Sequence, residues 1–147
     1  TPYTATFWYS SPNLKDGKMK FPDVFDPEFA KIIDQRISEW LKDTHDDPWC
    51  IGYFIDNEME WGGDDALGRN SLLSPAKQAA KQKLVSFLKE RYPDTAALNA
   101  AWGTSFADWD ALAADTKSKP NTDKAQKDLV DFTGMTADTT CLPWRAA

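Results

Sequence analysis

The sequence predicts a helix-rich α/β fold with about two parallel strands. Two aromatic, apolar stretches have the length of strands, TPYTATFWYS at residues 1–10 and WCIGYFI at residues 49–55. Between them, apolar residues recur at helical spacing, which indicates an amphipathic helix. A strand, helix, strand order is typical of a parallel pair joined by a right-handed crossover, as in barrels and doubly wound sheets.

The first strand and the first helix follow from composition and spacing. Residues 1–10 are rich in Thr, Tyr, Phe and Trp, which favour strands. The Pro, Asn, Gly and Lys residues after them predict a loop to about Asp26, which is the expected N-cap of a helix with Pro27 at its first position. The apolar face of that helix consists of Phe29, Ile32, Ile33, Ile37, Trp40 and Leu41.

The second strand is a continuous apolar run, which is typical of a parallel strand buried on both faces. It ends in a cluster of polar and acidic residues followed by an aromatic residue: Asp56, Asn57, Glu58, Glu60 and Trp61. A loop rich in Gly and Asp is expected after this cluster.

The remaining chain is predicted to be mostly helical. A helix capped by Ser74, with Pro75 after it, should run to about Tyr92 and carry one apolar side formed by Ala80, Leu84, Phe87, Leu88 and the stem of Arg91. Two short helices follow, DTAALNAAWG and SFADWDAL, the second with a capping box of Ser105 and Asp108. A last helix covers DKAQKDLVDF, and residues 136–147 are expected to form an irregular tail after a single unit at residues 1–135.

Composition and charge exclude several classes of partner. The chain has 147 residues, enough for one domain with a core, and a net charge of −6. This acidity argues against a nucleic-acid surface, which needs clustered Lys and Arg, and favours neutral or polyhydroxyl ligands. No apolar run reaches the roughly 18 residues of a membrane helix, so no membrane partner is expected. The chain starts at Thr1, so the compartment is unknown from the sequence.

No metal or other cofactor is expected. His45 is the single histidine and lies in a polar break, which disfavours zinc sites and His-based triads. Cys50 and Cys141 have no metal-type spacing, and Cys50 is expected to be a buried free thiol. The acidic pairs at residues 46–47 and 64–65 lack the alternation of a calcium loop, and we expect them to be solvated.

The acidic end of the second strand is the strongest candidate for a functional site. In parallel α/β folds, ligands bind beyond the carboxyl ends of the strands. A carboxyl group flanked by Tyr53 and Trp61 would be partly desolvated, which favours its protonated form and suits a general acid. The alternative is that these acids are ordinary loop residues.

Three stretches resemble a known family. DPWCIGYFIDNEMEWGG, at residues 47–63, looks like the fourth-strand signature of retaining glycoside hydrolases with a (β/α)8 barrel, in which an Asn-Glu pair closes the strand. FPDVFDPEFAKIIDQRI and LNAAWGTSFADWDAL are similar to the agarase and β-galactosidase side of that clan, with β-agarase nearest. The resemblance covers roughly residues 1–135 and implies a partial (β/α)8 (TIM) barrel fragment from the centre of such an enzyme.

The resemblance also implies roles for individual residues. Glu58 would be the acid/base, and Asn57 would hydrogen-bond the sugar hydroxyl beside the scissile bond of a β-galactosidic polysaccharide or oligosaccharide. Trp61 would form a stacking wall for a sugar ring, and a secreted or periplasmic bacterial location is implied. Trp8 and Tyr9, at the other strand end, are further sugar-binding candidates, whereas the helical spacing of Trp102 and Trp109 is typical of core.

The second carboxylate of a retaining mechanism is not evident in the chain. In the clan that the chain resembles, the nucleophile comes from a strand near the end of the barrel. Glu60 is two residues from Glu58, roughly 6–7 Å away at the backbone if the strand continues, and Glu90 lies on the expected solvated face of a helix.

Two hypotheses remain open at this stage. The chain is either a glycosidase, or a piece of one, acting through Glu58, or a non-catalytic, self-associating or sugar-binding fragment. Two strands of a barrel leave open edges and an uncovered apolar face, so we expect a homo-oligomer.

Overall fold

The computed structural model describes residues 1–7, 21–55 and 62–141. Within these ranges, the predicted helix-rich α/β fold with two parallel strands is confirmed. The elements, in chain order, are β1 Tyr3–Phe7, α1 Glu28–Thr44, β2 Cys50–Ile55, α2 Ala66–Leu73, α3 Ala79–Arg91, α4 Thr95–Trp102, α5 Trp109–Ala114 and α6 Asp123–Cys141.

The two strands form a parallel ribbon with α1 between them in sequence. The register pairs Thr4 with Gly52 and Phe7 with Ile55, after one irregularity between Tyr3 and Thr4. Because the strands are parallel and end on a paired position, the chain leaves both of them at the same end of the ribbon.

The expectation that β2 is buried on both faces is wrong for this chain. The side chains of Ile51 and Phe54 are 70% and 60% exposed. Burial on both faces requires covering layers on both sides of a sheet, but α1 packs mainly on β1 and reaches β2 through the hydrogen bond between Thr44 and Tyr53. Apolar side chains of β2 therefore face solvent.

Two clusters of buried apolar residues form the helical core. The larger one joins α2, α3, α4, α5 and α6 through Leu72, Leu84, Val85, Leu88, Tyr92, Leu98, Trp102, Leu112, Ala125, Leu129 and Phe132. The smaller one consists of Phe21, Val24, Phe29, Ile33, Leu67 and Ala80. Phe25 packs against both clusters, and Trp102 and Trp109 belong to or pack against the larger one, as their spacing predicts.

Helix α2 replaces most of the loop that the sequence predicts after the acidic cluster. Its residues Gly68, Asn70 and Ser71 are weak helix formers, so propensity gives no signal here. Tertiary packing supplies the stability instead, because a Cβ at Gly68 would collide with the backbone carbonyl of Leu129 in α6. Ser74 donates its hydroxyl to the carbonyl of Asn70 and so closes α2; it is not the predicted cap of α3, which begins at Ala79.

Helix ends differ from the predictions in small but informative ways. Asp26 accepts the backbone N–H of Glu28 at 2.9 Å, as the predicted cap should, although the helix begins at Glu28. At α5 the cap is Asp108, which accepts the N–H of Ala111 at 2.7 Å, and not Ser105. Helix α6 extends to Cys141, so residues 136–141 are helical where an irregular tail is predicted, and residues 142–147 lie outside the described residues.

Candidate functional site

The predicted site lies where the two strands end. Phe7 and Ile55 are the last register pair of β1 and β2. The predicted catalytic and sugar-binding residues follow these two positions directly in the chain, and all of them lie outside the described residues: Trp8, Tyr9, Asn57, Glu58 and Trp61. Asp56 and Glu60 also lie outside them, so the roles of these side chains stay predictions.

Aromatic packing holds the two strand ends together. The Phe7 ring is buried and stacks on the Tyr53 ring of β2, with centroids 4.8 Å apart. It also meets the Trp40 ring of α1 at 4.9 Å with a 50° tilt. The Tyr53 hydroxyl shares a 3.1 Å hydrogen bond with Thr44 at the end of α1. Both strands and α1 are thus joined at the last residue of β1 and two residues before the end of β2.

Asp47 fixes the opposite end of the ribbon. The Tyr3 hydroxyl donates to its carboxylate at 2.7 Å, and the backbone N–H of Trp49 donates to it at 2.9 Å. The hydrogen bond raises the pKa of Tyr3 to about 12, and the same two bonds, led by that of Trp49, lower the pKa of Asp47. Asp47 therefore acts as a strand anchor and not only as the solvated loop residue that the sequence predicts.

Asp23 anchors the segment that leads into α1. Its carboxylate accepts the N–H of Phe25 at 3.1 Å and the N–H of Ala80 at 3.0 Å. Burial raises the pKa of Asp23, although these bonds and one from Gln78 oppose the rise. Both oxygens are used to tie the segment before α1 to the start of α3.

Asp128 is the most highly coordinated carboxylate in the described part of the chain. It is fully buried and accepts the Tyr92 hydroxyl at 2.5 Å, the Trp102 indole N–H at 3.0 Å, Arg91 at 2.9 Å and Lys124 at 3.0 Å. Burial favours the protonated acid, but the four hydrogen bonds together outweigh it and lower the pKa of Asp128. All its donors come from the protein, so Asp128 organises the helical core and offers no proton for chemistry.

Lys81 is a second buried charge with a structural role. Its ammonium donates to the backbone carbonyl of Leu72 and, at 2.6 Å, to that of Asp115. Burial lowers the pKa of Lys81 to about 8, and the nearby Asp115 carboxylate opposes this shift. Lys81 thereby satisfies carbonyls at the ends of α2 and α5.

Neither Asp23, Lys81 nor Asp128 is singled out by the sequence as buried. Each lies on a helix or loop among other charged residues, and at least one of its partners is distant in the chain, as with Asp128 and Tyr92, which are 36 residues apart. Lys124 and Asp128 form a pair at i,i+4 spacing that is visible in the sequence. Such pairs are common on solvated helices, so this one does not indicate that Asp128 is buried.

A cleft of about 360 Å³ is a further site that the sequence does not indicate. It lies between the α4–α5 connection at residues 102–106 and the α5–α6 connection at residues 118–122. Gly103, in the left-handed conformation at φ 67°, ends α4 and leads the chain into the α4–α5 connection.

The residues weighed for metals and thiol chemistry are His45, the acidic pairs and Cys50. Among residues 1–7, 21–55 and 62–141, no group of three or more His, Cys, Asp or Glu residues could hold a metal ion. The His45 side chain is 71% exposed and contacts Asp46. Cys50 is a free thiol, as expected, but it is half-buried and not buried. In the same ranges, no helix has both the length and the apolar character needed to cross a membrane.

Comparison with known proteins places the chain beside agarases. It is 31% identical to β-agarase A of a Vibrio species over an alignment of 172 positions, which covers 99% of this chain and 16% of that protein. It is 33% identical to β-agarase B of the same organism over 99 positions, covering 59% of this chain and 10% of that protein. No protein-family model matches the chain.

Solved structures give the same picture. PfGH50B superimposes with a TM-score of 0.84 at 27% identity, covering 99% of this chain and 23% of that one. An agarase, AgWH50C, gives 0.82 at 27% identity, covering 97% and 22%. An exo-β-agarase gives 0.81 at 28% identity, covering 97% and 21%.

The chain thus spans less than a quarter of the length of each of these proteins. The predicted resemblance of the chain to β-agarases is confirmed. Over nearly its whole length, and in both sequence and fold, the chain resembles one segment of the agarase group of glycoside hydrolases.

Proposed function

We propose that this chain is a segment of a retaining glycoside hydrolase that cleaves β-galactosidic linkages of an agarose-type polysaccharide. The observation that carries the proposal is the paired ending of β1 and β2 at Phe7 and Ile55. The chain therefore leaves both strands at the same end of the ribbon. Parallel α/β folds bind ligands at this carboxyl end of their strands. The likeness to agarases supports the substrate class.

The proposed acid/base is Glu58, three residues beyond the end of β2. In the first step, the protonated carboxyl gives its proton to the glycosidic oxygen as a second carboxylate attacks the anomeric carbon. In the second step, Glu58 takes a proton from water, and the resulting hydroxide equivalent displaces that carboxylate and releases the sugar. We propose that the second carboxylate comes from outside this 147-residue sequence.

The remaining predicted residues would hold the sugar. Asn57 would hydrogen-bond the hydroxyl next to the scissile bond, and Trp61 would stack on a sugar ring. Trp8 and Tyr9 follow the neighbouring strand end and would extend this wall. The stacking of Phe7 on Tyr53 at 4.8 Å supports the arrangement, because it ties together the two strand ends that these residues follow in the chain.

We further propose that the ribbon is part of a (β/α)8 barrel. Its support is a parallel pair with a helix between the strands, and apolar residues that a complete sheet would cover. A barrel of this kind takes about 250 residues, which agrees with the greater length of the relatives.

The decisive experiment is hydrolysis by the complete polypeptide that the encoding gene specifies. With agarose and an aryl β-galactoside as substrates, Glu58→Gln should lower kcat by about 100-fold or more, since general acid catalysis contributes roughly 10²–10⁴-fold. Glu90→Gln is the matched control, because Glu90 is exposed on α3. Unchanged turnover by Glu58→Gln would refute the assignment.

A second candidate function is assembly with a second copy of the chain. The exposed apolar side chains of Trp49, Ile51 and Phe54, which are 54%, 70% and 60% exposed, favour it. Exposed strand faces and edges of this kind recruit partners. Sedimentation of the 147-residue chain at several concentrations tests it: a dimer that the double substitution Ile51→Thr and Phe54→Thr converts to monomer supports assembly, and a strict monomer excludes it.

A further inference from the structure

We propose that the cleft between the α4–α5 and α5–α6 connections binds a saccharide unit of the polysaccharide, as a holding site separate from the strand ends. The cleft has a volume of about 360 Å³, within the range of about 300–1,000 Å³ that is usual for ligand sites. Its lining contains no residue of β1 or β2. The inference rests on the proposed function for the choice of sugar.

The first wall of the cleft is held by Asn99 of α4. The Asn99 side chain accepts the Phe106 N–H at 2.9 Å and the Thr104 hydroxyl at 2.9 Å, and it donates to the Phe106 carbonyl at 2.8 Å. One half-buried amide thus uses both lone pairs of its oxygen and one N–H to shape residues 104–106. A wall fixed in this way loses little conformational entropy when a ligand binds.

The second wall is fixed at three points. The Thr122 hydroxyl donates to the carbonyl of Ala101 at 2.8 Å and accepts the Ala125 N–H at 3.1 Å. The carbonyl of Pro120 accepts a hydrogen bond from Arg69 at 3.1 Å. The Ser118 N–H donates to Asp115 at 2.9 Å. Both connections are therefore preorganised by bonds that leave the cleft open.

Three polar side chains in the lining are available to a ligand. Ser105, Lys119 and Asn121 form no side-chain hydrogen bond or ion pair with any other residue that the structure describes. Together they offer a hydroxyl, an ammonium and an amide, which both donate and accept. Half-buried Phe106 adds apolar surface to the same cleft, whereas Trp102, which also lines it, is almost fully buried.

This combination suits a neutral saccharide better than an anion. A sugar ring has apolar C–H faces and a rim of hydroxyls that both donate and accept, which matches an aromatic side chain beside a hydroxyl and an amide. A dedicated anion site would need more positive charge, because one exposed Lys must act against a chain of net charge −6. The ligand class is therefore a hydroxyl-rich, uncharged sugar.

The test is an NMR titration of the ¹⁵N-labelled chain with a tetrasaccharide prepared from agarose, with Kd taken from the shifting amides. Saturable shifts are expected at residues 104–106 and 118–122. Ser105→Ala and Asn121→Ala should each weaken binding by about 3- to 10-fold, the usual worth of one hydrogen bond. Gln82→Ala and Lys83→Ala, at exposed positions of α3, are matched controls and should leave Kd unchanged.

Two outcomes overturn the inference. The first is an absence of shifts in the cleft at millimolar tetrasaccharide. The second is equal shifts with inorganic sulfate that disappear in Lys119→Met, which would make the cleft an anion site. If either result is found but Glu58→Gln still lowers hydrolysis, only the cleft proposal is wrong. If Glu58→Gln leaves hydrolysis unchanged while the cleft still binds the tetrasaccharide, only the proposed function is wrong.

Discussion

Replacing Asp128 by Asn is expected to destabilise the helical core strongly while keeping the shape of the side chain. The wild-type carboxylate accepts four hydrogen bonds, two from the buried groups of Tyr92 and Trp102 and two from the cations of Arg91 and Lys124. An amide has one accepting oxygen and an NH₂ group that can only donate. At least one of the four donors would then face another donor.

The size of the effect follows from which partners can recover. Removing one member of a buried charge pair usually costs about 3–5 kcal/mol. Part of this is recovered, because the side chains of Arg91 and Lys124 are 32% and 49% exposed and Arg91 also binds Asp131 at 2.7 Å. Tyr92 and Trp102 are buried, so neither can turn to solvent. We therefore expect Asp128→Asn to lower the free energy of unfolding by about 2–4 kcal/mol.

Urea unfolding followed by tryptophan fluorescence measures this difference. Asp131→Asn is the matched control, because it removes the same charge from the same helix at a side chain that is 29% exposed. It should cost less than about 1 kcal/mol, as surface ion pairs do. If the two substitutions destabilise the chain equally, the assignment of Asp128 as the organising carboxylate is wrong.

Three other substitutions and one change of pH test the same structure. Gly68→Ala should lower the free energy of unfolding by about 1–3 kcal/mol, because its Cβ meets the Leu129 backbone; Gly134→Ala, with open space around it, should raise it by up to about 1 kcal/mol. Thermal unfolding of the two variants should move in opposite directions, and a shared direction would refute the close contact of α2 with α6. The folded pKa of Lys81 is about 8 against 10.5 when unfolded, so the unfolded chain binds more protons between these pH values. Stability should therefore rise from pH 8 to 10, by at most about 3 kcal/mol, and Lys81→Met should flatten that rise.

Local patterns predict those parts of the fold that depend on nearby residues. Helix α1 is long enough for its apolar periodicity to show, and the side chain of Asp94 marks the start of α4 by accepting the Ala97 N–H. Helix α2 escapes prediction because its stability comes from α6, more than 50 residues further along the chain. The same holds for the Asp128 cluster and for the cleft, which depend on long-range pairing and not on a motif.

The candidate site divides in the same way. The strands, their parallel pairing and their common end follow from a strand, helix, strand pattern, and the structure has them. Burial of β2 does not follow, because it depends on which layer lies over Ile51 and Phe54. An apolar run predicts that a strand can be buried; whether it is buried depends on the partner.

The contrast between the two halves of the molecule bears on how the chain works. Helices α2–α6 enclose a core of their own that contains Asp128, whereas in the ribbon α1 packs mainly on β1 and β2 keeps an open apolar face. The hydrophobic effect acts on that face whatever covers it, at roughly 25 cal/mol per Å² of apolar surface buried. Either the remainder of a longer polypeptide or a second copy of this chain could cover the apolar face of β2. Cover by the same polypeptide gives a stability that does not depend on protein concentration. Cover by a second copy gives a stability that rises with protein concentration. Within the described residues, the open apolar face of β2 is thus the part of the molecule that most requires a partner.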